Sequence, residues 1–379
     1  MIKHLLIIKV AMPLKLTLAL LGLLATGCAC AAKVLPIDVA PLEGAGAEQQ
    51  FGTDAGHPYQ PKEALNSPRA PVFAIDPKDP DSKPLPCYRI APDTYFFFGN
   101  IAEVDGVNRG FNGNAGFVVT RDGVLVVDAL GTPYLGRRML AAIRQVTDQP
   151  IRYLVITHAH PDHYYGAAAF AELPGVKVIS HAGTVDYAYS STIQHSVAYR
   201  KAFLPAEMKD FKAVVPDILL GGDHPREYTV RLGGKIFRIH DSGQHHSHGD
   251  LVMYQQPGNI LWVSDLAFNG RVTFIGDGHL HEILARQDWL LRTFPHARLM
   301  VPGHGAPQTP PFPMVAQTRS YVKQLTDKIS ASLRQGESLQ DAVDHADLPE
   351  FANVPLYRLN HRNNANYVYR VLEEEQFAQ

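Results

Sequence analysis

The run Thr157-His158-Ala159-His160-Pro161-Asp162-His163-Tyr164-Tyr165-Gly166 constrains this chain more than any other feature. It sets three imidazoles and a carboxylate within six residues, directly after IRYLVIT (151–157), an apolar run that reads as a buried strand. Polar groups crowded against a buried strand need partners, and a cation supplies them. In an extended or turning segment His158 and His160 point the same way, as alternate residues of a strand do. Asp162 and His163 then fall across the turn and face a second cation. Pro161 stiffens that turn, and Gly166 lets the next helix approach closely. The fold must therefore present a strand end that opens on a metal-binding loop.

Composition narrows the chemistry. Of 379 residues 46% are hydrophobic, and 35 basic side chains nearly balance 37 acidic ones. Such a chain is globular and carries no polybasic face, so nucleic-acid binding by bulk electrostatics is excluded. Cys28, Cys30 and Cys87 are too few and too unevenly placed for a disulfide framework or a thiolate zinc cage. The unusual count is 18 histidines, several of them crowded into short segments. Nitrogen and oxygen donors without thiolate suit Zn(2+), with iron or manganese as the alternatives.

Residues 1–31 read as an export signal. Lys3, Lys9 and Lys15 precede a short apolar core at 16–24, and small residues follow. That core is shorter than the roughly 20 residues a spanning helix needs. Ala29-Cys30-Ala31 has the small-x-small form of a signal cleavage site, while Ala25-Thr26-Gly27-Cys28 resembles a lipobox. The expected compartment is the periplasm of a Gram-negative bacterium, reached as a soluble protein or as a membrane-anchored lipoprotein cleaved before Cys28. Residues 32–86 are proline-rich and read as a tether. The catalytic domain is expected at 87–312, with a helical segment at 313–379 packed on it.

Within that domain YRIAPDTYFFFGN (88–100) reads as strand, turn and strand. GFVVT (116–120) and VLVVD (124–128) flank an Asp-Gly hairpin signal. Thr132-Pro133 opens a helix whose apolar stripe is Leu135, Met139, Leu140, Ile143 and Val146. Further strands are expected at 176–180, 228–232, 235–239, 250–255, 260–264 and 298–302, and Tyr-rich residues 184–215 read as helices and loops over the site. Late helices carry Val322, Leu325, Ile329 and Leu333, closing at Gly336, and Ala365, Val368 and Leu372. Two strand clusters with helices outside give an α/β (α+β) chain of stacked sheets.

HAHPDH (158–163) resembles the HxHxDH signature of the metallo-β-lactamase superfamily, and the resemblance extends over about residues 88–310. It implies a four-layer αββα sandwich of two mixed β-sheets flanked by helices, and a metal-dependent hydrolase acting on a small-molecule substrate. By the family pattern a third histidine comes from His-Ser/Thr-x-Gly-Asp/Ser, which selects His246 in Gly243–Asp250 over His245 and His248. Asp265, after ILWVS, matches the carboxylate that bridges the two metals, and His304 in Pro302-Gly303-His304-Gly305 matches the last ligand. Asp128, closing VLVVD, matches an aspartate that supports the ligands. The implied sites are His158, His160 and His246 for one ion, and Asp162, His163 and His304 for the other. Two ions sharing a water lower its pKa from about 15.7 towards roughly 7, and Asp162 is the group expected to orient the resulting nucleophile.

The resemblance is most detailed with the exported quinoprotein relay system zinc metallohydrolases. They share the signal, the GFVVTRDGVLVVDA-like opening, the segment from Asp265 to Arg271 and a C-terminal Asn/Arg-rich helix. It implies two zinc ions but supplies no substrate; the metal-bridging hydroxide is expected to attack an ester, thioester, lactone or amide carbonyl. The alternatives are β-lactamase activity, against which Asp265 counts because such enzymes place Cys or Ser there, and an iron-dependent sulfur dioxygenase or other redox member. His279 and His281 are expected at the surface, and Tyr164, Tyr165, Tyr187 and Tyr189 in packing or along the cleft.

Overall fold

The computed structural model describes the backbone of 33–36, residue 85, and residues 87–106 and 108–378. The expected signal at 1–31 and most of the proline-rich stretch lie outside the described residues. Among the described residues no helix is long and apolar enough to cross a membrane.

A seven-stranded sheet runs in the order β2-β3-β4-β5-β6-β7-β9. Its strands are β2 (Tyr88–Ala91), β3 (Thr94–Phe97), β4 (Ala115–Thr120), β5 (Gly123–Val127), β6 (Ile151–Val155), β7 (Lys177–His181) and β9 (Ile218–Leu220). The β2–β5 end is antiparallel and the β5-β6-β7-β9 end parallel. A five-stranded sheet orders β10 (Glu227–Leu232), β11 (Lys235–Gly243), β12 (Asp250–Gln256), β13 (Ile260–Ser264) and β14 (Leu299–Pro302), with β13 and β14 parallel. Lys33–Pro36 (β1), inside the proline-rich stretch, pairs antiparallel with β8 (Lys212–Val215).

Strand residues alternate between two apolar layers, which is why the buried strands read as unbroken apolar runs. Leu125 and Val127 of β5 face the second sheet and pack with Phe237, Met253, Trp262 and Val301. Val124 and Val126 face outward onto α1 (Pro133–Val146) and α3 (Ala167–Ala171), against Leu135, Met139, Ile143 and Phe170. On the second sheet Met253 and Trp262 point inward, while Val252, Leu261 and Val263 meet Leu290 of α6 (Leu280–Thr293) and Met314 and Val315 of α7 (Pro313–Arg334). The result is the expected αββα sandwich of two mixed sheets. Buried polar groups help to tie the sheets together, among them Gln255, which donates to Thr94 Oγ1 at 2.8 Å and accepts from Trp262 Nε1 at 3.2 Å.

Local expectations hold where sequence signals are strong. Thr132 caps α1, accepting from the Leu135 amide, and α7 ends with Gly336 at φ +73. The β4–β5 hairpin turns at Arg121-Asp122, with Thr120 opposite Gly123. Residues 184–215 differ from the helix-and-loop expectation. They hold most of α4 (Gly183–Tyr189) and α5 (Ser191–Phe203), but also β8, and β9 follows at 218–220. Strands of three or four residues carry too few alternations to register as a pattern. After α7, α8 (Leu339–His345) and α9 (Tyr357–Phe377) form a helical layer packed on α7 through Val322, Leu325, Ile329, Ala365 and Val368.

Candidate metal centre

The seven singled-out side chains come together at one edge of the sandwich. Beyond β6 the chain passes through Thr157 to His158 and His160, and Pro161 starts the one-turn helix α2 (Pro161–Tyr164) that carries Asp162 and His163. From the other sheet, His246 lies in the β11–β12 turn, Asp265 follows β13 and His304 follows β14. Ser264, the residue before Asp265, sits at φ 47, and Asp128, after β5, at φ 58. Left-handed backbone at non-glycine residues costs of order 1–3 kcal/mol each and persists where the surroundings fix it. Gly303 is obligatory for a different reason: a Cβ there would collide with the Asp265 carboxylate.

Two donor groups result, His158, His160, His246 and Asp265 in one, and Asp162, His163 and His304 in the other, each with ligand atoms within 4.8 Å of one another. Asp265 links them. Its Oδ2 lies 3.0 Å from His246 Nε2 and 3.9 Å from His158 Nε2, and also 3.3 Å from His304 Nε2. Its Oδ1 is 3.5 Å from His163 Nε2. Asp162 Oδ2 lies 3.4 Å from His304 Nε2 and 3.9 Å from His163 Nε2.

The rings of His158, His160, His163 and His304 are oriented from behind. His163 Nδ1 meets Asp128 Oδ2 at 3.0 Å, and Asp128 is held by the Thr157 amide at 2.8 Å. His158 Nδ1 faces the hydroxyls of Thr157 and Ser264 at 3.2 and 3.3 Å. His304 Nδ1 donates to the Asn112 carbonyl at 2.8 Å, and His160 Nε2 pairs with Asp277 at 3.1 Å. The turn that presents His246 is wound around Asp250, whose carboxylate accepts from the amides of His246 and Ser247 at 2.9 and 3.1 Å.

The sequence model of the metallo-beta-lactamase superfamily matches residues 108–331. The chain belongs to that superfamily. A curated relative, the linear primary-alkylsulfatase of Pseudomonas sp., is 39% identical over 56 residues, 15% of this chain and 11% of its own. Among solved structures, a double mutant of the sec-alkyl sulfatase PisA1 superposes with a TM-score of 0.60 at 16% identity, over 76% of this chain and 50% of that one. The stereoselective inverting sec-alkylsulfatase Pisa1 from Pseudomonas sp. gives 0.56 at 16%, over 75% and 50%. The likeness shows the shared fold, and this superfamily member spans half the length of those alkylsulfatases.

The donor set of this superfamily member fits a metal. His158 Nε2 and Asp265 Oδ1 are buried atoms without a hydrogen-bond partner, both directed into the donor groups. Burial, with His163 and His160 nearby, holds the His158 imidazole well below its ordinary pKa and therefore neutral. Burial and Arg271 also lower the His304 pKa, against the pull of Asp265 and Asp162. Burial opposes charge on Asp162 and Asp265, but the facing imidazoles outweigh it and keep both carboxylates ionised. Burial likewise disfavours a cation on His163, yet Asp265, Asp162 and Asp128 raise it to about 10. That is a site organised around positive charge.

His245 is buried against Ser242 Oγ at 3.1 Å and His248 is exposed, so neither joins the donors. His279 and His281 lie at the surface, paired with Gln244 and Glu375. Tyr164 and Tyr165 are core residues and Tyr189 is 61% exposed. The tyrosine that reaches the cleft is Tyr199. Sequence reading missed Asn112, Arg200, Asp277 and Asn360, all of which border the centre. Arg271 and Asn360 had only a segment-level signal, the first as the end of the Asp265–Arg271 segment and the second within the Asn/Arg-rich C-terminal helix.

Proposed function

We propose that this chain is an exported, dinuclear zinc hydrolase that cleaves an ester, thioester, lactone or amide, closest within the superfamily to the quinoprotein relay system zinc metallohydrolases. The observation that carries the reading is the pair of donor groups joined through Asp265. His158, His160 and His246 would hold one ion, Asp162, His163 and His304 the other, and Asp265 both. Bound zinc supplies an acidified water and polarises the scissile bond. The chain's own residues do the rest. Asp162, kept ionised and fixed by Asn112 Nδ2 at 3.2 Å, accepts a hydrogen from the attacking water and aligns it. Phe268 packs at 5.6 and 5.7 Å from the His246 and His304 rings and excludes bulk water from behind them. Placement within the quinoprotein relay group rests on the Asp265–Arg271 segment and the asparagine-rich C-terminal helix, and export on residues 1–31.

A second reading, sulfate-ester hydrolysis, is favoured by the alkylsulfatase match and by two arginines in the cleft. One experiment tests both: zinc-loaded protein against lactams, lactones, thioesters, phosphodiesters and alkyl sulfates, with metal analysis of the same preparation. Turnover of a carbonyl substrate with about two zinc per chain is expected. Iron with no hydrolysis across the panel would overturn the hydrolytic reading, and turnover confined to alkyl sulfates would replace the first reading by the second.

A further inference from the structure

The cleft above the donor groups is a cavity of about 410 Å³, and its walls carry polar groups that the hydrolytic chemistry leaves unused. Arg200, Arg271 and Asn360 line it, and they are 5%, 7% and 5% exposed. Among the described residues neither arginine is ion-paired with a carboxylate. Arg200 has the Gly131 carbonyl at 3.5 Å and the Tyr165 ring beneath it. Arg271 has the Val272 carbonyl at 3.4 Å, the His304 ring at 3.1 Å and the Phe268 face. Asn360 Nδ2 is buried with no hydrogen-bond partner. Buried cations and amide donors without acceptors are costly, and the cost is relieved when the missing acceptor arrives with a ligand.

Asn360 belongs to α9, outside the stretch that the superfamily model matches. That helix is fastened to the cleft. One turn beyond Asn360, Asn364 donates to the Thr273 carbonyl at 2.7 Å and accepts from the Ile275 amide at 3.2 Å. The Val272 amide reaches the Pro355 carbonyl at 2.9 Å. Residues four apart share a helix face, so anchoring Asn364 fixes Asn360 at the cavity wall beside the segment that carries Arg271 and Asp277. The asparagine-rich character of 360–366 thus has a division of labour: Asn364 docks the helix and Asn360 faces the cleft. Among the described residues none of the cavity's carboxylates makes an ion pair with either arginine, although Arg200 acts on Asp162 through space. Asp162 and Asp265 face the imidazoles, Asp277 pairs with His160, and Glu103 lies half-buried at the wall.

We infer that the substrate carries a compact oxyanion, a carboxylate, sulfate or phosphate group, gripped between Arg200 of α5 and Asn360 of α9, so that the C-terminal helix sets specificity. The inference rests on the hydrolytic reading and names its substrate class. Arg271, in contact with His304, adds charge on the metal side of the same cavity. Charge-assisted hydrogen bonds from a guanidinium and an amide give such a group both affinity and orientation.

The test is calorimetric titration of the zinc-loaded protein with sulfate, methylphosphonate and acetate at fixed ionic strength. Wild type is expected to bind at least one of them. Asn360→Asp, nearly isosteric but anionic, and Arg200→Gln should each weaken binding about tenfold or more, the loss of one charge-assisted contact, with zinc content unchanged. Arg200→Lys keeps the charge and should lose several-fold, which covers the case in which Asn360→Asp fails to fold. Preference for sulfate or methylphosphonate assigns a tetrahedral group, and preference for acetate a carboxylate. Affinities within about twofold of wild type in Arg200→Lys and Arg200→Gln would place the anion on zinc alone and overturn the proposal, as would absence of binding to wild type. Anion binding with no turnover of any substrate would instead defeat the hydrolytic reading and leave this cradle standing.

Discussion

The two sheets furnish the metal centre in opposite ways. The seven-stranded sheet delivers His158, His160, Asp162 and His163 from one loop and one helical turn after β6, whereas the five-stranded sheet delivers His246, Asp265 and His304 singly, from three separate connections. The first set is positioned by local chain geometry and by the neighbouring strand, through Asp128 and Thr157. The second depends on sheet register and on braces from across the sandwich: Asn114 donates to the Pro302 and Gly305 carbonyls at 2.9 and 2.8 Å, and its amide reaches Gly303 at 2.7 Å. A contiguous set tolerates error elsewhere in the fold. A dispersed set needs the whole fold in place.

That contrast can be broken most severely at the residue that joins the sets. Asp265→Ala should cost both metal positions, leave well under one zinc per chain after desalting, and bring hydrolysis below detection. A variant that retained two ions would show that Asp265 does not join them. The next largest effect separates the halves: His163→Ala and His246→Ala should each remove about one ion, read by metal analysis, and Asp162→Ala should also fall towards one ion with turnover abolished. Retention of turnover within a few-fold in Asp162→Ala would remove that carboxylate from the mechanism. Smaller again is Asp128→Asn, which leaves the donors intact but loosens the His163 ring; metal affinity in a chelator competition should fall roughly 10–100-fold. The smallest effect is expected from His245→Ala, next to a donor in sequence but turned onto Ser242. Its zinc content should match wild type, and a loss of one ion there would exchange the roles of His245 and His246.

The same contrast explains what could be read from sequence. HAHPDH is local, so residue spacing alone pointed to two cations. His246, Asp265 and His304 are each one unremarkable residue after a strand, and only likeness to a family's motif order singled them out. The sandwich was legible because VLVVD, DLVMYQ and ILWVS are buried on both faces and cannot be amphipathic. β8 and β9 were not, being too short for a periodic signal. The roles of Asp277, Asn112, Arg200 and Asn360 could not be read because they arise from which distant segments meet: Asn360 is one of several asparagines in its helix until Asn364 docks that helix on residues 273–275.

The four donors packed into residues 158–163 also act before the fold exists. An unfolded chain already presents a short chelating peptide, so a zinc ion held by the native site would also be drawn to the denatured ensemble. A ligand stabilises a protein only by the difference between those two affinities. Zinc should therefore raise the melting temperature by less than its native-state dissociation constant implies, and the shortfall should shrink when His160 is replaced. At high zinc the peptide-bound denatured state also becomes a competitor during refolding, so the yield of native protein should pass through an optimum in metal concentration rather than rise without limit.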